Sequence, residues 1–377
     1  MEILLNKDQA MKAVDVARNF AESASGLGVL QGALLSAKDG HVRLTTTDLG
    51  LWCQVGIDAQ TPEPGEILVP VKGLATVLKN MPGSRVQLRS EGDDVVCVGG
   101  SSEVRLKGTD VEEYPSVDEP EGRWLSMPLS AALVDRVAYA VSRDETRYTL
   151  NGVLLEVEGR QLKLVATDGH RLARFAGTLP PGSVSDAGEE PVRAIVPARL
   201  LNEGVRLGGK LGGSVTLELF EKSAAIRVNG SIRLWTGLID GQYPQYEGII
   251  PSEFVCNVSV PKGALCSAVS RAAALSKGRR LAGVVLEMDG SSLVMRLGED
   301  AGDGISSIER VSPARAEGTV PVCGLRINYL SDALARLPDT SWVELRFTDD
   351  DGESPVVIQG PETSGAELLA MIMPYKV

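Results

Sequence analysis

Alternating apolar and polar positions mark three similar stretches of the chain, residues 33–48, 153–168 and 284–300. In each stretch the alternation continues on both sides of a glycine, Gly40, Gly159 or Gly290. A period of two residues places successive side chains on opposite faces of a strand, and an acidic residue followed by glycine favours a tight turn. Each stretch is therefore predicted to form a β-hairpin.

A second pattern begins at residues 67, 194 and 318. Each time a short apolar run ends in Val-Pro and continues with apolar residues three to four apart, which predicts a strand followed by an amphipathic helix. Proline fits at this point because its missing N–H is no loss in the first turn of a helix. With another helix near the start of each third of the chain, the predicted helical windows are 8–20, 72–80, 130–143, 199–210, 262–280 and 325–336.

Both patterns recur at nearly constant intervals. Pro70, Pro197 and Pro321 are 127 and 124 residues apart, and Pro-rich polar linkers lie at 112–122 and 241–251. Each copy holds two helices and several short strands, which indicates an α+β fold with antiparallel sheets. Three domains on a flexible string are the alternative, but the short joints favour a fixed, curved arrangement. The predicted domains are residues 1–121, 122–252 and 253–377.

The composition fits a globular protein with aliphatic cores, because 43% of the residues are hydrophobic and only 4% are aromatic. No apolar run reaches the ~18–20 residues that span a bilayer, and the first residues do not form a signal peptide. The five cysteines never occur as C-x-x-C, which argues against a zinc site or a disulfide framework. We therefore expect a cytoplasmic protein with no membrane partner, no metal and no cofactor.

The net charge of −12, taken alone, argues against a nucleic-acid partner, since neutralising phosphates requires Lys and Arg. The six helical windows, however, carry 0, +2, +1, +2, +5 and +1, or +11 together, which leaves −23 for the rest of the chain. Glu has about the same helix propensity as Lys, yet the one glutamate in these windows is Glu203. A basic helical surface suits sequence-independent contact with phosphates, and an acidic remainder repels DNA. The alternative is that these are ordinary solvated helix surfaces.

An enzymatic function would have to rest on Asp168 and His170. Gly169 between them indicates a turn, and neither a G-x-S-x-G nucleophile motif nor a P-loop or Rossmann glycine pattern accompanies them. We interpret Asp168 as a turn residue that accepts hydrogen bonds from nearby backbone N–H groups, and we expect Asp48 to do the same in the first copy. No catalytic residue is predicted; a structural repeat scaffold that does not bind DNA is a further alternative.

Four segments, together with the threefold repeat, carry a resemblance to a known family: RYTLNGVLLE (147–156), LVATDGHRLA (164–173), LIDGQYPQYEGIIP (238–251) and MIMPYKV (371–377). Along its whole length the chain resembles the bacterial sliding clamp, the β subunit of DNA polymerase III. The resemblance implies a non-catalytic, head-to-tail homodimer whose six like domains form a ring around duplex DNA, with the helices inside. It also implies partners: the DNA polymerase III catalytic subunit, the clamp loader, and other polymerases and repair factors.

In this family the partners insert a short peptide into an apolar cleft between the second and third domains. His170 and Arg171 would form a polar lip of that cleft, and methionines suit it because they adapt to different ligands. Without the resemblance, ordinary core packing at the period-two spacing of a strand is an alternative for Met371 and Met373. By motif, the cleft comprises Leu150, Thr167, Gly169, His170, Arg171, Leu172, Pro244, Ile249, Val357, Met371, Met373, Pro374 and Tyr375.

The resemblance also implies a DNA surface and a ring interface. At the interface Val104 and Leu106 of one subunit would meet Ala274 and Leu275 of the other. The residues expected to contact DNA are Lys72, Arg143, Arg147, Tyr148, Arg199, Lys277 and Arg279.

Some positions depart from the family pattern. Tyr375 stands where methionine is usual, and Glu247 and Gly248 stand where basic residues are usual. The loop after the first helix carries Glu22 in place of a common arginine, and residues 298–304 form an acidic, glycine-rich loop. These departures raise the alternative that the chain is a variant or second clamp copy with altered partner binding.

Overall fold

The structure is a computed structural model that describes residues 1–22, 28–92, 94–182, 191–277, 282–298, 304–360 and 366–376. Its contacts divide the chain into two compact units. Unit 1 comprises Met1–Leu129 and Leu200–Leu238, and unit 2 comprises Ser130–Arg199 and Ile239–Val377. The domain boundaries predicted from the sequence stay a prediction.

The described residues contain six α-helices, two for each predicted copy. They are α1 (Lys7–Ala17), α2 (Val71–Asn80), α3 (Ala131–Ala138), α4 (Ala198–Leu211), α5 (Lys262–Leu275) and α6 (Ile327–Arg336). All six predicted helices are confirmed, but three end earlier than their windows. Helix α1 stops at Ala17 because the Asn19 side chain donates to the carbonyls of Asp15 and Val16. Helix α3 ends at Ala138, and the chain after it bonds to a later segment instead of continuing the helix. The Ser142 N–H donates to Leu150 O at 2.9 Å.

The shorter helices change the charge that they carry. Within the observed bounds the helices carry 0, +2, 0, +2, +2 and 0, or +6 in total rather than +11. Arg18, Arg143, Lys277 and Arg326 lie beyond the helix ends, and residues 278–281 lie outside the described ranges. The positive bias of the helices therefore persists at about half the predicted size.

The strands are short and numerous. In the first half of the chain they are β1 (Glu2–Asn6), β2 (Gly32–Lys38), β3 (His41–Thr47), β4 (Trp52–Glu63), β5 (Gly65–Pro70), β6 (Arg85–Glu91), β7 (Asp94–Gly99), β8 (Ser102–Lys107), β9 (Leu125–Pro128), β10 (Gly152–Glu158), β11 (Gln161–Thr167) and β12 (Arg171–Thr178). In the second half they are β13 (Val192–Pro197), β14 (Val215–Leu219), β15 (Ser223–Val228), β16 (Ile232–Gly237), β17 (Cys256–Pro261), β18 (Gly283–Asp289), β19 (Ser292–Leu297), β20 (Ser307–Val311), β21 (Arg315–Glu317), β22 (Cys323–Arg326), β23 (Trp342–Phe347), β24 (Val356–Gln359) and β25 (Glu367–Ile372).

Unit 1 holds one twelve-stranded sheet, in the order β8-β7-β6-β1-β4-β16-β15-β14-β9, with β3, β2 and β5 joined in turn to β4. Unit 2 holds a nine-stranded sheet, β13-β10-β11-β12-β25-β24-β23-β17-β21, and a four-stranded sheet, β20-β19-β18-β22. The strand pairs are antiparallel, and the three predicted hairpins are β2–β3, β10–β11 and β18–β19. The predicted α+β class with antiparallel sheets is therefore confirmed.

The third copy shows how helices and sheets share a core. Buried residues of α5 and α6 pack with residues of both sheets of unit 2, including Ala370 and Ile372 of β25. Because successive strand residues point to opposite faces, Leu369 and Met371 lie on the other face of β25. We call this face of the nine-stranded sheet, opposite α5 and α6, the outer face.

Candidate functional site

A row of neighbouring side chains crosses the outer face of unit 2. Thr167 of β11 pairs with Leu172 of β12, Leu172 pairs with Met371 of β25, and Met371 pairs with Val357 of β24. Residues directly opposite each other on antiparallel strands share a face and contact one another. Strand pairing thus brings together predicted cleft residues that lie up to 204 positions apart along the chain.

Leu172, Met371 and Val357 of this row belong to a larger apolar cluster, here called the outer cluster. Its buried members are Leu150, Leu154, Val165, Leu172, Ile195, Tyr243, Tyr246, Val357, Leu369 and Met371, with Ile239, Ile250 and Phe254 at its margin. Four of the predicted cleft residues are among them. Two others are apolar and exposed, Ile249 at 51% and Met373 at 37%, whereas Pro244 is exposed in the segment between Tyr243 and Tyr246.

Sequence analysis missed six of the buried members: Leu154, Val165, Ile195, Tyr243, Tyr246 and Leu369. The period of two residues could have found some of them, because Val165 and Leu369 lie two positions before Thr167 and Met371. The side chain of Tyr243 donates to Val165 O at 3.4 Å, and that of Tyr246 donates to Glu156 Oε2 at 2.8 Å. These contacts between distant segments have no sequence signal.

Asp168 holds the turn between β11 and β12. Its Oδ1 accepts hydrogen bonds from the N–H groups of His170 at 2.9 Å and Arg171 at 3.0 Å. The Thr167 hydroxyl donates to Arg171 O at 2.6 Å and accepts from the Gly169 N–H at 3.1 Å. Gly169 has a φ of +85°, a conformation that favours glycine. The interpretation of Asp168 as a turn residue is confirmed, and it leaves His170 as an exposed side chain at the tip.

Arg171 is not part of an exposed polar lip, because its side chain is only 13% accessible. The guanidinium bonds Asp168 Oδ2 at 3.0 Å and Asp332 Oδ2 of α6 at 2.7 Å. It also lies over the rings of Tyr139, at 5.4 Å, and Tyr329, at 4.6 Å. Charge-assisted hydrogen bonds and cation–π contacts together fix this side chain. Arg171 therefore ties the turn to α6 and to the end of α3.

The segment before β10 delivers Leu150 to the outer cluster. Residues Glu145–Asn151 form 3-10 turns with a kink at Arg147, and Asp144 caps their start by accepting from the Thr146 N–H at 3.0 Å. Hydrogen bonds from the Thr146 side chain and N–H hold the pKa of the Asp144 carboxyl below its usual value. Arg147, expected to contact DNA, donates to Asp168 O at 3.4 Å and so lies against the turn. Tyr148 beside it is 59% exposed.

The predicted cleft residues near the C-terminus lie in two different places. The Met373 N–H donates to His170 O at 2.8 Å, which keeps Met373 beside the turn. The Tyr375 N–H instead donates to Gly324 O at 2.9 Å, and its ring lies against Gly283, where no side chain would fit. Burial raises the pKa of the Tyr375 phenol. Pro374 and Tyr375 line a separate cavity of about 500 Å³ together with Val322, Asp351, Gly352, Glu353 and Lys376.

The remaining residues expected to contact DNA are exposed where they are described. Lys72 and Arg199 are the second residues of α2 and α4, and Arg143 and Lys277 follow α3 and α5. Arg279 lies outside the described residues.

The residues expected at the ring interface lie on an end strand of one sheet and at the end of a helix beside another. Strand β8, at the end of the unit 1 sheet, carries Val104, which is 38% exposed, and Leu106, which is partly buried. In unit 2, Ala274 and Leu275 are exposed at the end of α5. Helix α5 packs beside β20, the end strand of the four-stranded sheet.

Ile308 of β20 is a further exposed apolar residue, at 51%, that sequence analysis missed. An unpaired strand edge with exposed apolar side chains is a ready surface for pairing with another chain. Apolar and polar residues alternate only weakly in Ser-Ile-Glu-Arg-Val, so the sequence did not clearly predict a strand here.

In the part of the chain that the structure describes, no three His, Cys, Asp or Glu side chains come together as metal ligands. None of the described helices combines the length and the apolar character needed to cross a membrane.

Comparison with known proteins matches the chain in three consecutive parts. Residues 1–118 match the N-terminal domain of the DNA polymerase III beta subunit, residues 126–245 its central domain and residues 247–375 its C-terminal domain. The beta sliding clamp of Pseudomonas putida is 27% identical over 98% of this chain and 100% of its own length. The solved DNA polymerase III subunit beta of Pseudomonas aeruginosa is 26% identical, with a TM-score of 0.87 over 100% of both chains.

The DNA polymerase sliding clamp of Bacillus subtilis superimposes with a TM-score of 0.88 over 100% of this chain and 99% of its own, at 22% identity, and so supports the fold alone. The three domain matches follow one another in order and cover nearly all of the sequence. This chain therefore belongs to the DNA polymerase III beta subunit family, the family of the beta sliding clamps.

Proposed function

We propose that this chain is a DNA sliding clamp that binds short peptides of its partners on the outer cluster of unit 2. The observation that carries the proposal is the row of Leu172, Met371 and Val357, which strand pairing assembles into one buried apolar row. The partners would be the DNA polymerase III catalytic subunit, the clamp loader, and other polymerases and repair factors that carry a clamp-binding peptide.

The chemistry of the surface suits an apolar peptide anchor. The row forms a buried floor, while Ile249 and Met373 remain exposed and available to cover a ligand. Burying apolar area contributes about 25 cal/mol for each Å² removed from water. Asp168 and Arg171 fix the turn beside the floor, so little ordering is needed on binding.

Duplex DNA is the proposed second partner. Lys72, Arg143, Arg199 and Lys277 are exposed cations on or just beyond helices, and they suit contacts with phosphates that do not depend on sequence. In a closed ring these contacts can be weak, because DNA leaves only when the ring opens or its end passes through. Such a clamp would act in the cytoplasm, on the nucleoid.

The ring is proposed to be a head-to-tail homodimer. Edge strand β8 with Val104 and Leu106 would meet β20 and the end of α5, with Ile308, Ala274 and Leu275, of a second copy. The interface is heterologous, so the same contact forms twice when the ring closes.

The clamp is proposed to be non-catalytic. Both carboxylate oxygens of Asp168 are engaged, Oδ1 by the backbone N–H groups of the turn and Oδ2 by Arg171. A general base needs an oxygen free to take a proton from a substrate, and Asp168 is occupied by the fold.

A variant clamp with altered partner binding is the second candidate. The observation that favours it is Tyr375, whose ring is held against Gly283 rather than in the outer cluster. Exposed Glu247 would also repel an acidic peptide end. Affinity for a standard clamp-binding peptide equal to that of other clamps would contradict this second candidate.

The peptide site is tested by a fluorescent peptide of the type Gln-Leu-Ser-Leu-Phe. Met371→Ala should weaken its binding about five- to thirtyfold, because truncating a side chain that anchors a ligand at an interface costs about 1–2 kcal/mol. Met295→Ala is the matched control, since Met295 is equally buried but lies in the core with α5 and α6. Equal binding by the wild type and Met371→Ala would exclude the outer cluster as the site.

The ring is tested on DNA. The chain, loaded onto circular DNA by a clamp loader, should stay bound until the circle is cut and should then slide off the ends. Retention that does not change on linearisation would indicate a phosphate-gripping protein instead of a topological clamp.

A further inference from the structure

Unit 1 contains a second copy of the arrangement that forms the candidate peptide site. In unit 2, Leu172 pairs with Met371 and Met371 with Val357; in unit 1, Trp52 of β4 pairs with Trp235 of β16, and Trp235 pairs with Ala225 of β15. The two rows therefore occupy equivalent positions in the sheets of their units.

The turns beside the two rows are equivalent as well. Asp48 Oδ1 accepts from the N–H groups of Gly50 and Leu51, as Asp168 Oδ1 does from its own turn. The Tyr114 hydroxyl donates to Thr45 O at 3.4 Å, the same contact that Tyr243 makes with Val165 O. The strand pairing, the Asp turn and the tyrosine contact are thus the same in the two places, whereas the side chains of the rows differ.

Aromatic rings fill the row of unit 1. Trp52 and Trp235 stack with centroids 5.7 Å apart and planes 9° apart, and Tyr114 meets Trp52 edge-on at 6.3 Å. Two indoles are much larger than the leucine and methionine at the matching positions of unit 2. They therefore occupy more of the space above the strands than a leucine and a methionine would, and they gain stacking energy there.

Ion pairs and a hydrogen bond also hold the linker after Tyr114 beside this row, where its Val117 packs with Trp52 and Trp235. Arg233 bonds Glu119 Oε2 and Pro120 O, both at 3.2 Å, and its side chain is only 12% exposed. Arg43 bonds the other oxygen of Glu119 at 3.2 Å. In unit 2 the position that matches Arg233 is Leu369, as the pairings with Gln54 and Arg174 show. A leucine side chain cannot form the ion pair and the hydrogen bond that Arg233 makes with its linker.

We infer that unit 1 holds a closed copy of the peptide site, and that Trp52 and Trp235 are the residues that exclude the partner peptide from it. Each chain then has one peptide site, in unit 2, although the fold provides two equivalent places. The inference rests on the proposed function of the outer cluster.

The stoichiometry of peptide binding tests it. Calorimetric titration of the full-length wild type with the Gln-Leu-Ser-Leu-Phe peptide should give one peptide for each chain. The double variant Trp52→Leu, Trp235→Met gives unit 1 the side chains of unit 2 and should bind two. The reciprocal variant Leu172→Trp, Met371→Trp should bind none.

Two outcomes overturn the inference while leaving the proposed function intact: two peptides on each wild-type chain, or one peptide on a folded Trp52→Leu, Trp235→Met variant. Circular dichroism and dimer mass establish that this variant folds. If it does not, the reciprocal variant decides, because undiminished binding there would show that indoles in the row do not exclude the peptide. No binding by the wild type would instead overturn the proposed function itself.

Discussion

Asp48 Oδ1 and Asp168 Oδ1 accept matching pairs of backbone hydrogen bonds in two equivalent turns, but only the turn of Asp168 adjoins the outer cluster. Alanine at either position should lower the free energy of unfolding by roughly 1–2 kcal/mol, because two backbone N–H groups lose their acceptor. Only Asp168→Ala should also weaken peptide binding. Thermal denaturation measures the loss of stability, and fluorescence anisotropy measures peptide binding. An equal loss of peptide binding in Asp48→Ala would show that the peptide site does not depend specifically on the Asp168 turn.

The cysteines provide a second test at the scale of single residues. Burial raises the pKa of the Cys97 thiol to about 11 and that of Cys323 to about 12, and it also raises those of Cys53, Cys256 and Cys266. The thiolate is the reactive form, so a raised pKa leaves less of it at pH 8.

Only Cys266 is partly exposed; the other four are buried. With a disulfide reagent such as DTNB at pH 8, we expect at most one thiol to react before unfolding and all five after it. Cys266→Ser should remove the early reaction. Rapid reaction of two or more thiols in the folded chain would contradict the burial described above.

Helices α2 and α4 begin alike, with an exposed cation at the second position, Lys72 or Arg199. Reversing both charges with Lys72→Glu and Arg199→Glu should weaken DNA binding and make it less dependent on salt. Each lost phosphate contact reduces the slope of log K against log salt concentration by about one. Measurement of binding to short duplex DNA over a range of salt concentrations tests this.

Lys163 of β11 is the matched control for these helix residues. It is exposed and shares a strand face with Val165, which belongs to the outer cluster and so lies opposite the helix side. Lys163→Glu should leave the salt dependence unchanged. A loss as large as that of the helix variants would show that total charge, rather than its position, governs binding.

At the scale of the whole molecule, the open edge of β20 predicts the oligomeric state. The wild type should have a mass of about 80 kDa in solution, twice the chain mass of 40.0 kDa. Ile308→Glu should give monomers, because it places a charge in the proposed apolar interface. Val255→Glu is the control, since Val255 is similarly exposed, at 47%, but precedes β17 and lies outside the elements proposed to meet. Light scattering after gel filtration distinguishes these results.

Removal of residues 373–377 tests whether the C-terminal residues belong to the peptide site and not to the dimer interface. It deletes Met373, which is bonded to His170 O, and Tyr375, which is bonded to Gly324 O. Peptide binding should fall strongly, while the dimer mass should remain. Monomers after truncation would place the C-terminal residues in the interface.

Much of the fold follows from local pattern. Periods of two and of three to four residues predicted the hairpins and all six helices, because each element must present an apolar face to its core. The helix ends did not follow, since α1 stops where Asn19 bonds two carbonyls and α3 where Ser142 bonds Leu150. Such capping depends on which rotamers and partners the folded chain supplies.

The sequence by itself determined the threefold repeat, the α+β class, the family resemblance and the two Asp turns, because these depend on periodicity and on motifs contained in short segments. The tertiary structure decided which side chains meet across strands. It buried Arg171 between Tyr139 and Tyr329 and seated Tyr375 on Gly283. It also set Trp52 against Trp235, which lies 183 residues away. Contacts between residues so far apart depend on strand register and packing, and no local pattern encodes them.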